Sequence, residues 1–343
     1  MNFKSVLMVI AKYPATYGHT TVINHLCNGL NKMGYRAAIG AFSFDKKPPF
    51  DIETIKLSKI KLLTRGDKYL DFDIIHSHQS RVNYYLLSVK PTKPFVLHYH
   101  GSSSKIQEIN FKIMMSLYKN RISKIISVSN TGISQMKKMI GNVSAEVIYN
   151  GVDTNFYNVG LPTTYKKGNP QLLFVSSLRK YKRANILIEI MPKLLQKYPD
   201  AYLQIVGDGE ELPELKKMVQ NKNLGEKIEL TGKIQDDELR LRYASCDLYV
   251  SASTFEVCPV PTLEAMSCGK PLVLYDIEPH REIIDESKAG VIFSLNDMDI
   301  LSKIEDALKN KLHYEKAARE FAEDHDWQSV CNKLVQAYKN LRQ

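Results

Sequence analysis

Short, almost continuous apolar runs alternate along this chain with segments in which apolar residues recur every three or four positions. The first run is SVLMVIAKYP, and the segment after it, TTVINHLCNGLNKMGY, has helical spacing and stops at Gly34. Further apolar runs follow, each ending in polar or glycine residues: YRAAIGAF, DFDIIHSH, PFVLHYHG, KIISVSN and AEVIYNG. Strands of this kind are typical of a parallel sheet that is buried on both faces.

The same alternation starts again after the polar stretch NVGLPTTYKKGNP. Its apolar runs are QLLFVSS, AYLQIVGDG, KIELTGK, CDLYVSAS, KPLVLYD and AGVIFS, with helical segments between them. The pattern predicts an α/β protein with two doubly wound, Rossmann-like domains, at residues 1–158 and 168–325, joined by a hinge near residues 155–168. Ligands of such sheets bind beyond the carboxyl ends of the strands, so we expect the functional site in a cleft where the two domains face each other.

The final segment, residues 326–343, predicts one more helix, because Val330, Leu334 and Tyr338 recur at helical spacing. We expect this helix to pack back on the first domain. No apolar run approaches the ~18 residues that a membrane span needs, and SVLMVIA near the start fits a strand better than a signal peptide, which predicts a cytoplasmic protein. Five cysteines without a C-x-x-C pair predict reduced, mostly buried thiols.

Charge is distributed unevenly along the chain. Residues 1–150 contain 21 lysines and arginines against 8 acidic residues, a net charge of +13, whereas the rest contains 26 against 29. A basic half indicates an anionic partner such as a phospholipid surface, a phosphorylated lipid or nucleic acid, although solvated lysines also explain the excess. Nucleic acid ranks last among these partners, because no recognition module accompanies the charge.

The stretch TFEVCPVPTLEAMSCGKP, residues 254–271, contains two glutamates eight positions apart. Glu256 follows the strand DLYVSAS, and Glu264 falls in the first turn of a helix that Pro261 and Thr262 are expected to open. A first-turn glutamate also has a purely structural explanation, because it complements the helix dipole. In the functional explanation, the helix N-terminus receives a phosphate while the two carboxylates accept hydrogen bonds from hydroxyl groups. Phosphates and hydroxyls together indicate a sugar nucleotide.

This stretch resembles the E-x7-E motif of the retaining glycosyltransferases of family 4, and the resemblance implies their GT-B fold of two facing Rossmann-like domains. It extends over nearly the whole chain: VIYNGVDTNFY resembles the family's N-G-V-D segment between the domains, and IVGDGEE resembles its glycine at a strand end, here Gly207. In the family the first glutamate faces the donor sugar and the second binds the ribose, which implies these roles for Glu256 and Glu264. By the same resemblance, the start of the helix binds the donor through Val260, Pro261 and Thr262.

The segment FVSSLRKYKRANILIEI resembles the family's G-R-L-x-x-x-K-G motif, whose arginine and lysine hold the nucleotide diphosphate. Lys182 keeps the lysine, which implies that it stabilises the departing diphosphate. Ser176 and Ser177 replace the Gly-Arg pair and Arg183 replaces the last glycine, so one cation is missing from its usual place. Arg179, two positions on, is the candidate replacement. An exposed basic turn without such a role is the alternative.

Two further departures from the family pattern concern the donor. The family usually has E-G-F-G where this chain has E-V-C-P, and Pro259 lacks the backbone N–H that the family glycine often gives to the sugar. Near the N-terminus the family has a Gly-Gly loop, where this chain has a tyrosine and Gly18. We expect Gly18 still to let the backbone approach the diphosphate.

Four histidines form two H-x-H pairs, His76 with His78 and His98 with His100. On a strand, the period of two places each pair on one face, so a metal site is an alternative that the residues leave open. The resemblance instead matches His100, just before Gly101, with the family's active-site histidine, which implies that it orients the donor sugar. His98, within its strand, is interpreted as a hydrogen-bonded core residue.

A basic segment, INFKIMMSLYKNRISKI at residues 109–125, sets apolar residues at helical spacing beside Lys112, Lys119, Arg121 and Lys124. Such a helix can lie on an anionic membrane, and a surface helix that faces the core fits equally well. Because enzymes that resemble this chain often act on lipid-linked acceptors, peripheral binding at the inner face of the cell membrane stays an open hypothesis.

The residues and the resemblance together predict a retaining glycosyltransferase that needs no cofactor and no metal. It would transfer a hexose-type sugar from a UDP- or GDP-linked donor to a lipid-linked or saccharide acceptor in glycan biosynthesis. The acceptor would bind the first domain and the donor the second. Two alternatives stay open: a subunit that binds a nucleotide sugar without turning it over, and a sugar-nucleotide epimerase of the same architecture.

Overall fold

The chain forms two compact units, each built on its own parallel sheet. The first unit comprises the residues up to Gly151 together with those from Trp327 onward, and the second runs from Val152 to Asp326. The first stretch of this unit therefore ends at Gly151 and not at the predicted residue 158. The computed structural model describes three stretches of the chain: residues 3–15, 19–68 and 70–341.

The first unit alternates strands with helices, as the apolar runs predict. Its strands are β1 (Ser5–Val9), β2 (Lys12–Tyr13), β3 (Arg36–Ala41), β4 (Ser43–Phe44), β5 (Glu53–Lys56), β6 (Ile74–Ser77), β7 (Phe95–Tyr99), β8 (Lys124–Ser127) and β9 (Glu146–Val147). Its helices before residue 151 are α1 (His19–Lys32), α2 (Lys59–Arg65), α3 (Ser80–Leu86), α4 (Lys105–Tyr118) and α5 (Asn130–Ile140), with a 3₁₀ turn at Lys119–Arg121. The main sheet has the order β5-β3-β1-β6-β7-β8-β9, and β2 pairs with β4 separately.

Both faces of the first sheet are buried, because successive residues of its strands point to opposite sides. In β1, Val6 and Met8 belong to one apolar cluster, and Leu7 and Val9 belong to the other. Helix α1 covers the first face, and α3, α4 and α5 cover the second. This double burial explains why the strands read as continuous apolar runs.

The second unit repeats the same architecture. Its strands are β10 (Gln171–Val175), β11 (Tyr202–Val206), β12 (Ile228–Gly232), β13 (Leu248–Ser251), β14 (Leu272–Tyr275) and β15 (Gly290–Phe293). Its helices are α6 (Ala184–Lys197), α7 (Leu212–Asn221), α8 (Asp236–Ser245), α9 (Val260–Ser267), α10 (Glu278–Ser287), α11 (Asp297–Lys309) and α12 (Lys311–Asp324), with a 3₁₀ turn at Lys180–Lys182. The sheet is parallel, with the order β12-β11-β10-β13-β14-β15.

Residues 152–157 pack on the second unit, which moves the boundary from its predicted position. Val152 is buried, and its N–H donates to the carbonyl of His325 at 3.0 Å. The Thr154 hydroxyl donates to Asp326 Oδ2 at 2.8 Å. These bonds join residues more than 170 positions apart, so no local pattern in the sequence could reveal them.

The terminal helix α13 (Trp327–Lys339) contributes to the core of the first unit. Its apolar residues Val330, Leu334 and Tyr338 are buried there, as their spacing predicts. Helix α13 packs closely on α1: a Cβ added at Gly29 would lie 2.4 Å from Cys331 Sγ. A glycine at this position therefore lets the two helices approach each other.

The predicted fold class is confirmed, and each apolar run that predicts a strand contains one. Strand β5 was not predicted, because its sequence ETIK has no apolar run and most of the strand is exposed at the sheet edge. None of the five cysteines forms a disulfide, and four are buried. Among the helices of the described residues, none combines the length and the hydrophobicity that crossing a bilayer requires.

The basic helix lies earlier in the chain than predicted. The sequence pattern predicts it within residues 109–125, whereas α4 is Lys105–Tyr118 and strand β8 already begins at Lys124. Ser104 sets the start, because its Oγ accepts a hydrogen bond from the Gln107 N–H at 3.4 Å. The Gln107 side chain in turn accepts from the N–H of Ser103 at 2.7 Å, an arrangement close to a capping box.

Candidate active site

Lys182 and Glu256 form an ion pair beyond the carboxyl ends of β10 and β13. Lys182 Nζ lies 2.5 Å from Glu256 Oε1, and each side chain is only 13% exposed. Because β10 and β13 are neighbours in the sheet, the topology brings together two residues 74 positions apart. Each charge stabilises the other, since a largely buried charge without a partner is costly. The structure thus joins two of the three residues that the family resemblance assigns to catalysis.

The loop that carries Lys182 is followed by an arginine with a left-handed backbone. Arg183, at the start of α6, has φ 50° and ψ 41°, a conformation that favours glycine. Its guanidinium lies 5.6 Å from the ring centroid of Tyr275, and its Nη1 is buried without a hydrogen-bond partner among the described residues. Arg179, the predicted replacement cation, precedes the same turn and is half-buried. Arg183 is therefore a second candidate for the missing cation, which the sequence did not indicate.

Helix α9 begins at Val260, one residue before the predicted start. Pro259 occupies the cap position and offers no side-chain acceptor to the first-turn N–H groups. Val260 and Pro261 are half-buried, whereas Thr262 is buried. A helix start without a side-chain cap favours an anion, because its N–H groups carry partial positive charge.

Glu264 lies in the second turn of α9 and not in the first, so the helix-dipole explanation loses its basis. Tyr243 Oη donates to Glu264 Oε2 at 2.8 Å. Burial raises the pKa of the Glu264 carboxyl to about 7, a shift that the hydrogen bond from Tyr243 reduces. Burial and the charge of Glu256, with a smaller effect of Glu264, raise the pKa of Tyr249. The charges of both glutamates therefore affect the pKa of the same buried tyrosine, Tyr249, so the two carboxylates lie close to each other.

Two glycines were predicted to contact the donor. Gly207 follows β11 with φ 136°, and a Cβ there would lie 1.8 Å from the carbonyl oxygen of Ser176. Glycine is thus required at residue 207 by the close approach of the loop after β10, and its contact with a donor stays a prediction. Gly18 lies outside the described residues.

His280, which the sequence reasoning missed, lies in the first turn of α10 and is fully buried. Its Nδ1 lies 2.7 Å from the carbonyl oxygen of Tyr275, which can only accept, so Nδ1 carries the proton. Burial lowers the pKa of His280, and the charges of Glu256 and Lys182 act on it in opposite directions. Its Nε2 is then an acceptor, buried without a partner among the described residues. This residue adds a neutral acceptor near the ion pair.

In the first unit, the two H-x-H pairs form a stack of imidazole rings at the carboxyl ends of β6 and β7. The ring centroids of His76 and His78 are 4.5 Å apart, and those of His98 and His100 are 4.4 Å apart. His78 Nδ1 lies 2.9 Å from His100 Nε2, and His76 Nδ1 lies 2.5 Å from the hydroxyl of Tyr338. The period of two on each strand thus places the pairs on a single face of the sheet.

His98 is buried, but the prediction that it is hydrogen-bonded is wrong. Neither ring nitrogen has a hydrogen-bond partner among the described residues. Its ring lies against those of His76, 5.1 Å away between centroids, and His100, so ring contacts take the place of hydrogen bonds. Burial lowers the pKa of His98 to about 3, and burial also lowers the pKa values of the other three. The stack is therefore neutral at pH 7.

One ring nitrogen from each of His76, His78 and His98 lies within 4.8 Å of the other two, close enough for a group of metal ligands. Neutral imidazoles bind zinc and other transition metals. The rings of His76 and His98, however, are only 7° from parallel, so their lone pairs do not converge on one point as tetrahedral zinc requires. A metal at this cluster would require at least one ring to rotate.

A cavity of 390 Å³ opens beside His100 in the first unit. Its lining includes His19, whose ring centroid lies 4.7 Å from that of His100. Arg81 and Ile106 also line it, so the cavity has a cationic and an apolar side in addition to the imidazoles. Neutral imidazole nitrogens can accept hydrogen bonds from hydroxyl groups, which makes the cavity a candidate site for a sugar or another hydroxylated ligand.

Two Rossmann-like units, one with a largely buried Lys-Glu pair close to a helix start that has no side-chain cap, correspond to the GT-B class of glycosyltransferases. Residues 162–324 match the family model "Glycosyl transferases group 1", and residues 17–156 match the model "Glycosyltransferase Family 4". The two models together cover most of the chain, which belongs to the family 4 glycosyltransferases.

Curated relatives and solved structures agree with this family. The phosphatidyl-myo-inositol mannosyltransferase of Mycolicibacterium smegmatis is 25% identical over 282 residues, which cover 79% of this chain and 72% of the mannosyltransferase. Sulfoquinovosyl transferase SQD2 of Arabidopsis thaliana is 33% identical over 157 residues, 43% of this chain and 29% of SQD2. The crystal structure of HepE from Anabaena, in complex with UDP and glucose, matches with a TM-score of 0.81 and 19% identity over 98% of this chain and 100% of HepE.

Proposed function

We propose that this protein is a retaining glycosyltransferase that moves a hexose-type sugar from a UDP- or GDP-linked donor to a lipid-linked or saccharide acceptor. The observation that carries the proposal is the ion pair of Lys182 and Glu256, whose glutamate lies four residues before the start of α9. Lys182 would supply a cation for the leaving phosphate, and Glu256 a carboxylate for the sugar hydroxyls. Both lie close to the first-turn N–H groups of α9, which favour an anion.

In the proposed mechanism, the bond between the anomeric carbon and the diphosphate oxygen breaks, and negative charge develops on the leaving group. Lys182 and the first turn of α9 would stabilise that charge, because they are already oriented when the charge forms. Glu256 would accept hydrogen bonds from the sugar, and Glu264 from the ribose. The departing diphosphate oxygen takes the proton of the acceptor hydroxyl, whose oxygen attacks from the same face, so that the anomeric configuration is retained.

The relatives support this choice of donor and acceptor. HepE was crystallised with UDP and glucose, which favours a nucleotide-linked hexose for a chain of the same fold. The mannosyltransferase of M. smegmatis is named for a phosphatidyl-myo-inositol acceptor, which favours a lipid. We place the acceptor in the first unit, in the cavity beside His100, because that unit carries the positive charge. Acceptors of this kind would bring the protein to the inner face of the cell membrane.

We also propose that transfer needs no metal ion. Lys182, the start of α9, and Arg179 or Arg183 would supply the positive charge that a metal supplies to the diphosphate in other enzymes. The histidine cluster of the first unit would then serve as an acceptor of hydrogen bonds and not as a set of ligands.

A nucleotide should stabilise the purified protein against heat. UDP, GDP and ADP, each with its common sugar conjugates, are screened by thermal shift. A ligand at ~100 times its dissociation constant adds ~2.7 kcal/mol, which raises the melting temperature measurably. We expect one nucleotide to give this shift, Lys182→Ala and Glu264→Ala to lose it, and Lys180→Ala, an exposed neighbour in the same turn, to keep it.

The outcomes separate the proposal from its alternatives. Folded protein that no nucleotide stabilises would contradict the donor site. A subunit that only binds would show the shift without transfer or donor hydrolysis on a broad panel of acceptors. An epimerase would convert the donor when no acceptor is present. A product whose anomeric configuration is inverted would contradict the retaining mechanism.

The affinity for the nucleotide should rise with pH across neutrality. In the free protein the pKa of Glu264 is about 7, so part of the population is protonated and can accept fewer hydrogen bonds from the ribose. Between about pH 6 and pH 8 the dissociation constant should fall, by at most about tenfold per pH unit for one proton. Calorimetric titration of Glu264→Gln should give weaker binding without this pH dependence, whereas exposed Glu226→Gln should behave like the original protein. An unchanged pH profile in Glu264→Gln would assign the titration to another group.

A further inference from the structure

Helix α4 of the first unit has two apolar faces, and only one of them packs on the core. Phe111, Met114 and Met115 are buried in the core against the sheet. On the opposite side, apolar residues recur at intervals of three and four positions and lie open to solvent. They are Ile106 (71% exposed), Ile109 (55%), Ile113 (47%) and Leu117 (60%). We call this row the α4 stripe. Four large apolar side chains in one exposed row favour a binding surface.

Positive charge flanks the α4 stripe. Lys105, Lys112 and Lys119 follow one another at intervals of seven along the same helix and the turn after it, and all are exposed. Within the described part of the chain, Lys112 and Lys119 have no ion-pair partner. An amphipathic helix with lysines beside a row of isoleucine and leucine is typical of elements that lie in the interface of an anionic membrane.

A basic groove adjoins the stripe. It has a volume of 1660 Å³, and its lining includes Lys112 of α4 and Lys119 of the turn after it. Among the described residues that line it, Glu146 is the only one with a carboxylate, and it is already paired with Lys124 at 2.6 Å. The other cationic side chains that line it are Lys90, Lys93 and Arg121. This excess of positive charge complements an anionic headgroup.

We propose that the α4 stripe and the basic groove form the face by which this protein docks on an anionic phospholipid bilayer. The four apolar side chains enter the interface, and Lys105, Lys112 and Lys119 contact the phosphates. This inference deepens the proposed function, because it names the surface on which a lipid-linked acceptor would be met. Ile106 belongs both to the stripe and to the lining of the cavity beside His100, so docking would place the mouth of that cavity at the membrane.

Vesicle flotation of the full chain, without donor or acceptor, tests the docking face. We expect the protein to float with vesicles of phosphatidylcholine and phosphatidylglycerol, not with phosphatidylcholine alone, and to dissociate as salt is added. The double substitution Ile109→Ser with Ile113→Ser should weaken partitioning by about tenfold or more, because two side chains no longer leave water. Lys112→Ala with Lys119→Ala should weaken it by about 25-fold, at about fivefold for each lysine near the surface.

Matched substitutions away from the face are the controls. Leu312→Ser with Met298→Ser removes two side chains of the second unit that are at least as exposed, and Lys216→Ala with Lys222→Ala removes two of its exposed lysines. Both should float like the original protein. Equal loss in the control pairs, or unchanged flotation of the α4 variants, would overturn the proposal.

Two further outcomes identify another occupant or separate this inference from the transferase. A dimer in sedimentation velocity that becomes a monomer in Ile109→Ser with Ile113→Ser would assign the stripe to a second copy of the chain and overturn membrane docking. Because flotation uses no substrate, protein that fails to float but still binds a nucleotide would overturn only the docking face. Protein that floats but binds no nucleotide would contradict the donor site and leave the docking face intact.

Discussion

Lys182→Ala is expected to lower the rate of sugar transfer by about 10²–10³, the typical loss when one preorganised contact to developing charge is removed. Lys182 is largely buried and already paired at 2.5 Å with Glu256, so its position is fixed before the donor binds. Its loss removes positive charge from the leaving diphosphate and also leaves Glu256 without its partner. The rate is measured with the nucleotide sugar that stabilises the original protein, under saturating donor, so that weaker binding does not hide the effect on the chemical step.

The control for this substitution lies two residues away. Lys180 belongs to the same 3₁₀ turn but is exposed, so Lys180→Ala should change the rate by less than about twofold. If Lys182→Ala folds poorly, Lys182→Met keeps the length of the apolar side chain and removes only the charge. A folded variant of either kind with near-normal turnover would exclude Lys182 from the stabilisation of the leaving group.

The fold could be predicted from the sequence because every central strand is buried on both faces. Such strands have no polar alternation, and their continuous apolar runs mark them individually. Strand β5, at the edge of the first sheet, follows the opposite rule: its residues are mostly exposed, and it was missed. The boundary at Gly151 was also missed, because it depends on bonds such as that of Thr154 to Asp326, far away in the sequence.

Of the candidate site, the sequence could predict only the residues that lie within a recognisable motif, and not the contacts between them. Lys182 and Glu256 each lie in a recognisable segment, but their contact depends on the pairing of β10 with β13. Tyr243, which donates to Glu264, and His280 belong to helices whose patterns show nothing unusual. Their importance arises from burial next to a carboxylate, which no local spacing can show.

The first unit is expected to lose stability steeply as the pH falls below about 6.5. His76, His78 and His98 are buried and His100 is half-buried. All four have lowered pKa values, so the folded state keeps them neutral where the unfolded chain binds protons. The unfolded state then binds more protons than the folded state, and the free energy of unfolding therefore falls with falling pH. Each such histidine lowers the free energy of unfolding by about 1.4 kcal/mol for each pH unit below that point. Four histidines lower it by about 5 kcal/mol per pH unit, which is comparable with the whole stability of a domain.

The chain has one tryptophan, Trp327, and it lies in the first unit, stacked on His25 with ring centroids 4.9 Å apart. Its fluorescence during urea unfolding at pH 7.5, 6.5 and 5.5 thus follows the unit that contains the histidine stack. His98→Leu should reduce the pH slope by about one proton, and exposed His313→Leu should leave it unchanged. A free energy of unfolding that stays constant from pH 7.5 to 5.5 would contradict the neutral stack. Stabilisation by one equivalent of zinc, lost in His98→Leu, would instead identify the histidines as metal ligands, because only converging lone pairs could bind the ion.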